Sequence, residues 1–66
     1  MKNKFYHLPI YDEKDNLITV LYGTYEILDS IASTYTAAAE FMESPNEIAL
    51  MYRVAREIVK FLNELD

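Results

Sequence analysis

Apolar residues crowd the last third of the chain more densely than a surface helix needs. From Ser44 onward the pattern predicts one long helix, about 45–65. At about 100° per residue its apolar positions spread over an arc of roughly 200°. Only Arg53, Arg56, Glu57, Lys60, Asn63 and Glu64 fill the remainder. Ile48, Met51, Ala55, Ile58, Leu62 and Leu65 keep the three-four spacing of a seam against a neighbouring helix. Leu50, Val54 and Phe61 form a second flank, which another copy of the chain or the rest of the fold has to cover. The start of the helix is marked by Ser44-Pro45-Asn46-Glu47, with Pro at the first helical position and Ser and Glu at capping-box spacing.

The periodicity differs upstream. Lys4–Tyr11 is rich in aromatic and branched residues and reads as a strand, with Pro9 placing it at a sheet edge or beside a bulge. Asp12-Glu13-Lys14-Asp15-Asn16 is a polar turn, with Asn16 expected at positive φ. Leu17–Tyr22 is apolar at nearly every position and predicts a strand buried on both faces. Gly23 ends it and Thr24 is placed to cap the next helix. That helix, about 25–42, carries the stripe Leu28, Ile31, Tyr35, Ala38 and Met42, and Ala37-Ala38-Ala39 offers small side chains for close packing. The break at Glu43–Ser44 is short enough for an antiparallel αα-hairpin. The expected fold is a single α+β domain over 1–66, a β-hairpin (4–22) followed by two helices in the order β-β-α-α.

Size sharpens this picture. A chain of 66 residues has little interior, and domains this small usually add disulfides, a metal or self-association. There is no cysteine and only one histidine, so neither a disulfide nor a structural zinc is expected, and a homo-oligomer is. The net charge of −5 opposes nucleic-acid binding. No apolar run approaches the length of a membrane span, and no signal-peptide core follows Lys2 and Lys4. These features point to a soluble, cytoplasmic protein.

Catalytic chemistry finds little footing. His7 lies in an aromatic strand with no serine in a nucleophile-elbow context. The acidic turn has Lys14 at a calcium-ligand position and lacks the EF-hand glycine. A single glycine precludes a phosphate-cradling glycine loop. No catalytic residue, metal or cofactor is assigned, and the chain reads as a non-enzyme.

Two patterns remain. Between Lys14 and Arg53 there is no cation, and then Arg53, Arg56 and Lys60 cluster on one side of the second helix. Guanidinium groups suit phosphate or carboxylate recognition, although i,i+4 pairs of Arg53 with Glu57 and Lys60 with Glu64 account for the same charges. The second pattern is six tyrosines, of which Tyr22, Tyr25 and Tyr52 are candidates for stacking on a planar ligand. Together they suggest a homo-oligomer that sequesters an anionic, nucleotide-like molecule at subunit interfaces, with Leu50, Val54 and Phe61 as the contact between copies. The alternative is an acidic inhibitor or adaptor that binds a host protein. In size and composition the chain resembles the small accessory proteins of phages and other mobile elements, a likeness that favours binding and inhibition over metabolism.

Overall fold

The computed structural model describes residues 4–65. Strands β1 (Tyr6–Tyr11) and β2 (Leu17–Gly23) form a two-stranded antiparallel sheet, followed by helices α1 (Tyr25–Ala39) and α2 (Pro45–Leu65). The α+β class and the β-β-α-α order are those expected from the residue pattern. Among the described residues no helix is long and apolar enough to cross a membrane.

The hairpin turn is set by Asp12. Its backbone N–H donates to the Asn16 carbonyl at 2.9 Å, and its own carbonyl accepts from the Asp15 N–H at 3.1 Å. This is a three-residue loop in which the last residue takes the left-handed conformation. That residue is Asp15, at φ 65°, and not Asn16. Both residue types tolerate the conformation, so composition cannot choose between them. The hydrogen bonds on Asp12 decide it, because they require the chain to reverse one residue before Asn16.

β1 and β2 pair from Tyr6↔Gly23 through Ile10↔Thr19, and then Tyr11 pairs with Leu17. Ile18 is therefore an extra residue in β2, a bulge beside the turn. Pro9 pairs with Val20. Having no N–H to give, it belongs to a pair whose amides point away from the partner strand, where its ring interrupts only the outer edge.

Alternation sends Leu8 and Ile10 into the core, with Tyr6, Ile18 and Leu21 half-buried against it. Leu28 and Ala32 of α1 and Val54, Ile58 and Leu62 of α2 complete the cluster. β2 is not buried on both faces: Leu17 and Tyr22 are exposed. The reason is topological. A two-stranded sheet has helices against one face only, so the apolar residues that alternate outward have nothing to meet.

Helix α1 starts where Thr24 Oγ1 accepts the Ile27 N–H at 3.3 Å. Thr34 and Thr36 donate their hydroxyls to the carbonyls of Ser30 and Ala32, which gives each hydroxyl a partner within the helix. The helix ends at Ala39, and amides 40–42 bond to carbonyls 37–39 in a tightening last turn, three residues short of the expected end. Its fully buried residues are Leu28, Ala32 and Ala39, whereas Ile31, Tyr35, Ala38 and Met42 are half-buried. The centre of the buried face is thus rotated toward Ala32 and Ala39.

Helix α2 begins at Pro45, as expected. Among the described residues, Ser44 closes the first turn through its carbonyl, which accepts the Ile48 N–H at 3.0 Å; the reciprocal Ser44–Glu47 side-chain bonds are not formed. Of the seam residues, Ala55, Ile58 and Leu62 are buried, Ile48 and Met51 half-buried, and Leu65 exposed. The second flank is covered from within the chain at Val54 and in part at Phe61, while Leu50 stays exposed. Val54 is 2% exposed in the common core, and Phe61 meets the Tyr6 ring edge-on at 5.7 Å. The wide arc of α2 therefore serves two neighbours, α1 and the hairpin.

Candidate functional site

Docking the hairpin on α2 brings the polar turn against the first half of the helix. Arg53 lies at this junction. Its Nε donates to the Tyr11 carbonyl at 2.8 Å, joining residues 42 positions apart in the sequence. The bond fixes the plane of the guanidinium and leaves its Nη groups for a second partner. Arg56, about one turn further along, lines the same cleft.

That cleft has a volume of about 680 Å³ and is open to solvent. Its floor and helix side are Asn46, Ala49, Leu50, Tyr52, Arg53 and Arg56, and its other wall is the turn, with Asp12, Glu13, Lys14 and Asn16. The volume falls in the range of small-molecule sites, ~300–1,000 Å³. Leu50 and Tyr52 give it an apolar and aromatic side, and both are about 40% exposed.

The charges in the cleft are not equivalent. Asp12 is engaged by its own turn: Oδ1 accepts the N–H groups of Asn16 (2.9 Å) and Lys14 (2.8 Å), and Oδ2 accepts the Asn16 amide at 3.3 Å. The Asn16 backbone N–H does most to hold the Asp12 carboxyl below its ordinary value; partial desolvation opposes it, while the Lys14 backbone N–H, the Asn16 side chain and the Arg53 charge add to it. This carboxylate is consumed in folding the turn, whereas Arg53, Arg56 and Lys14 remain as the basic groups of the cleft.

The lowered pKa has a measurable consequence. Its sign makes the folded state hold the Asp12 proton less tightly than the unfolded chain does. The stabilisation is therefore present above the ordinary carboxylate range and is lost as pH falls through the folded value. Thermal melts taken downward from neutral pH should show an acid loss that is shallower in Asp12→Asn than in the wild type. Parallel profiles would show that the turn does not depend on this charge.

The remaining candidates separate. Lys60 is exposed on α2 and does not line the cleft. Tyr22 lies on the outer face of the hairpin, with its ring 4.9 Å from that of His7. Tyr25 is half-buried at the start of α1 and packs on the core. Only Tyr52 of the three tyrosines stands beside the arginines. Val54, expected at a contact between copies, is enclosed in this chain's own core and has no surface to offer; Phe61 is half covered by Tyr6, and Leu50 stays exposed on the rim of the cleft. For Val54 and part of Phe61 the hairpin supplies the cover that a second copy was expected to provide.

Pattern reading missed the contribution of the turn. Lys14, Asn16 and Asn46 join the site although no spacing rule links them to Arg53. The available signal was the absence of any cation between Lys14 and Arg53, which makes Lys14 the nearest basic residue upstream. A second, shallower groove of about 340 Å³ runs over Asp29, Ser33, Thr36, Glu40 and Val59 and carries acidic groups only. Among the described residues no cluster of His, Cys, Asp or Glu could hold a metal ion. Comparison of the chain with models of known protein families, with curated proteins and with solved structures gives no match, so its function has to be read from its own surfaces.

Proposed function

We propose that this chain is a small, non-enzymatic, homo-oligomeric binding protein that sequesters an anionic, ring-bearing molecule of nucleotide type in the cleft between the hairpin turn and α2. The observation that carries this reading is the fixing of Arg53 by the Tyr11 carbonyl beside Arg56, Lys14 and the exposed ring of Tyr52. A guanidinium held in place loses less freedom when it binds phosphate, and two of them match the oxygens of a phosphoryl group. Leu50 and Tyr52 supply the apolar side on which a base would rest. The site has a place for a ligand but no histidine, thiol or metal cluster with which to transform it, so retention is the activity it suits.

Calorimetric titration with nucleoside mono- and diphosphates tests the proposal. Saturable binding is expected, weakened ~10- to 100-fold by Arg53→Ala or Arg56→Ala, the loss of charge-assisted hydrogen bonds. Lys60→Ala, outside the cleft, should bind as the wild type does. Equal loss in all three variants would reduce the effect to net charge, and no saturable binding to any phosphate would sink the site.

A second reading takes the chain as an acidic inhibitor of another protein. It draws on the groove at Asp29 of α1 and Glu40 just past its end, whose carboxylates have no cation among the lining residues. It predicts binding to a basic partner that is lost in Asp29→Lys and Glu40→Lys and is indifferent to Arg53.

A further inference from the structure

The hairpin covers Val54 and part of Phe61 on α2, leaves Leu50 exposed, and carries an apolar face of its own on the far side of the sheet. The register places His7 opposite Tyr22, Pro9 opposite Val20 and Tyr11 opposite Leu17, all on the face turned away from the helices. Phe5 continues the same alternation, and its ring stands edge-on to His7 at 6.1 Å. Phe5, Tyr11, Leu17 and Tyr22 are 46–59% exposed. An antiparallel sheet with one solvated face ordinarily alternates apolar with polar residues. Here both sets are mostly apolar; the outward set has His7 as its one polar side chain and contains no Asp, Glu, Lys or Arg.

We propose that this outer face is the self-association surface of the protein. Two copies pack hairpin against hairpin about a two-fold axis, with the two sheets inside and the helices outside. Three observations select a second copy over other occupants. The face carries no fixed charge although the chain carries −5, so an identical face meets it without burying a charge and leaves the carboxylates at the periphery. A highly charged peptide, a nucleic acid or an anionic membrane finds no countercharge on this face.

The area is also sufficient. At ~150–250 Å² per ring the exposed parts of the three aromatics come to roughly 240–400 Å², and Leu17, His7 and Pro9 bring the face to roughly 500 Å² per copy, at the lower bound for a specific dimer. Finally, a two-stranded sheet is marginal alone. Packing against a second sheet at ~10 Å gives it the other layer that its outward residues lack.

None of the outward residues lines the ligand cleft, so this inference stands or falls apart from the ligand reading. Sedimentation equilibrium of the full chain should show a dimer at micromolar concentration. Tyr22→Lys and Leu17→Glu, at opposite ends of the face, should each weaken it at least ~100-fold by placing an unpaired charge in the contact. Leu50→Lys on α2 should leave it intact. Because the chain has no cysteine, a nitroxide on Tyr22→Cys mixed with unlabelled, ¹⁵N-enriched protein gives a direct readout. It should broaden the amide signals of β1 and β2 in the other copy and spare those of α2. A monomer throughout this range, a dimer broken by Leu50→Lys but not by the hairpin variants, or broadening centred on α2 would each overturn the proposal. So would a monomer that holds a different protein on this face.

Discussion

Ile58→Ala is expected to abolish the cooperative fold at room temperature. Ile58 is 0% exposed and lies in the cluster joining β1, α1 and α2. Truncating such a residue costs about 2–5 kcal/mol, the transfer of the lost methyl groups plus the cavity they leave. A domain under about 70 residues rarely draws more than ~3–5 kcal/mol from its single core. The loss is thus of the same size as the whole stability. Far-UV circular dichroism should show a weak, broad transition where the wild type melts sharply. Leu65→Ala, on the same apparent seam but exposed, should melt within a few degrees of the wild type. A sharp Ile58→Ala transition close to that of the wild type would mean that the three-element core does not hold the fold together.

Gly23→Ala is expected to cost about 2–4 kcal/mol, part from the backbone and part from overpacking. Gly23 ends β2 at φ 155°, a conformation that residues with a Cβ rarely adopt. A Cβ there would stand 2.6 Å from Ile27 Cγ2 and 2.9 Å from Ile27 Cβ. The second distance matters more. Rotating the Ile27 side chain moves Cγ2 but not Cβ, so the first turn of α1 must shift, and with it the bond from the Ile27 N–H to Thr24. In a domain this small such a loss lowers the melting temperature by ~10 °C or more. The double variant Gly23→Ala with Ile27→Ala should recover the share due to Cγ2 and none of the backbone share. Full recovery would remove the backbone from the explanation, and no loss in the single variant would show that this junction is pliable.

The Gly23–Ile27 approach marks where pattern reading stops. Gly23 is legible as a strand end and Thr24 as a cap, because both depend on neighbouring residues. That Ile27 folds back to within contact of Gly23 depends on the angle between β2 and α1, which no local signal encodes. The positive φ at Asp15 belongs to the same kind. The turn is legible from its composition, but the residue that reverses is chosen by hydrogen bonds converging on Asp12. The alanines of α1 show it again: Ala32 is buried in one cluster with Val54, Ile58 and Leu62 of α2, while the bulkier Ile31 and Tyr35 are only half-buried against it.

The candidate site divides likewise. Arg53, Arg56 and Tyr52 come together because one helix carries them. Their neighbours Lys14 and Asn16 come from a turn brought there by the docking of the hairpin, and Tyr22 and Tyr25 are carried away by the same event. The sequence by itself determined the four elements, their order, most of their boundaries and the excess of apolar surface, since each of these follows from periodicity and capping within a few residues. Only the tertiary structure decided where that excess ends up. Burial is assigned by contacts between elements: the hairpin closes over Val54 and part of Phe61, Leu50 stays exposed, and the outside of the sheet presents a second apolar face.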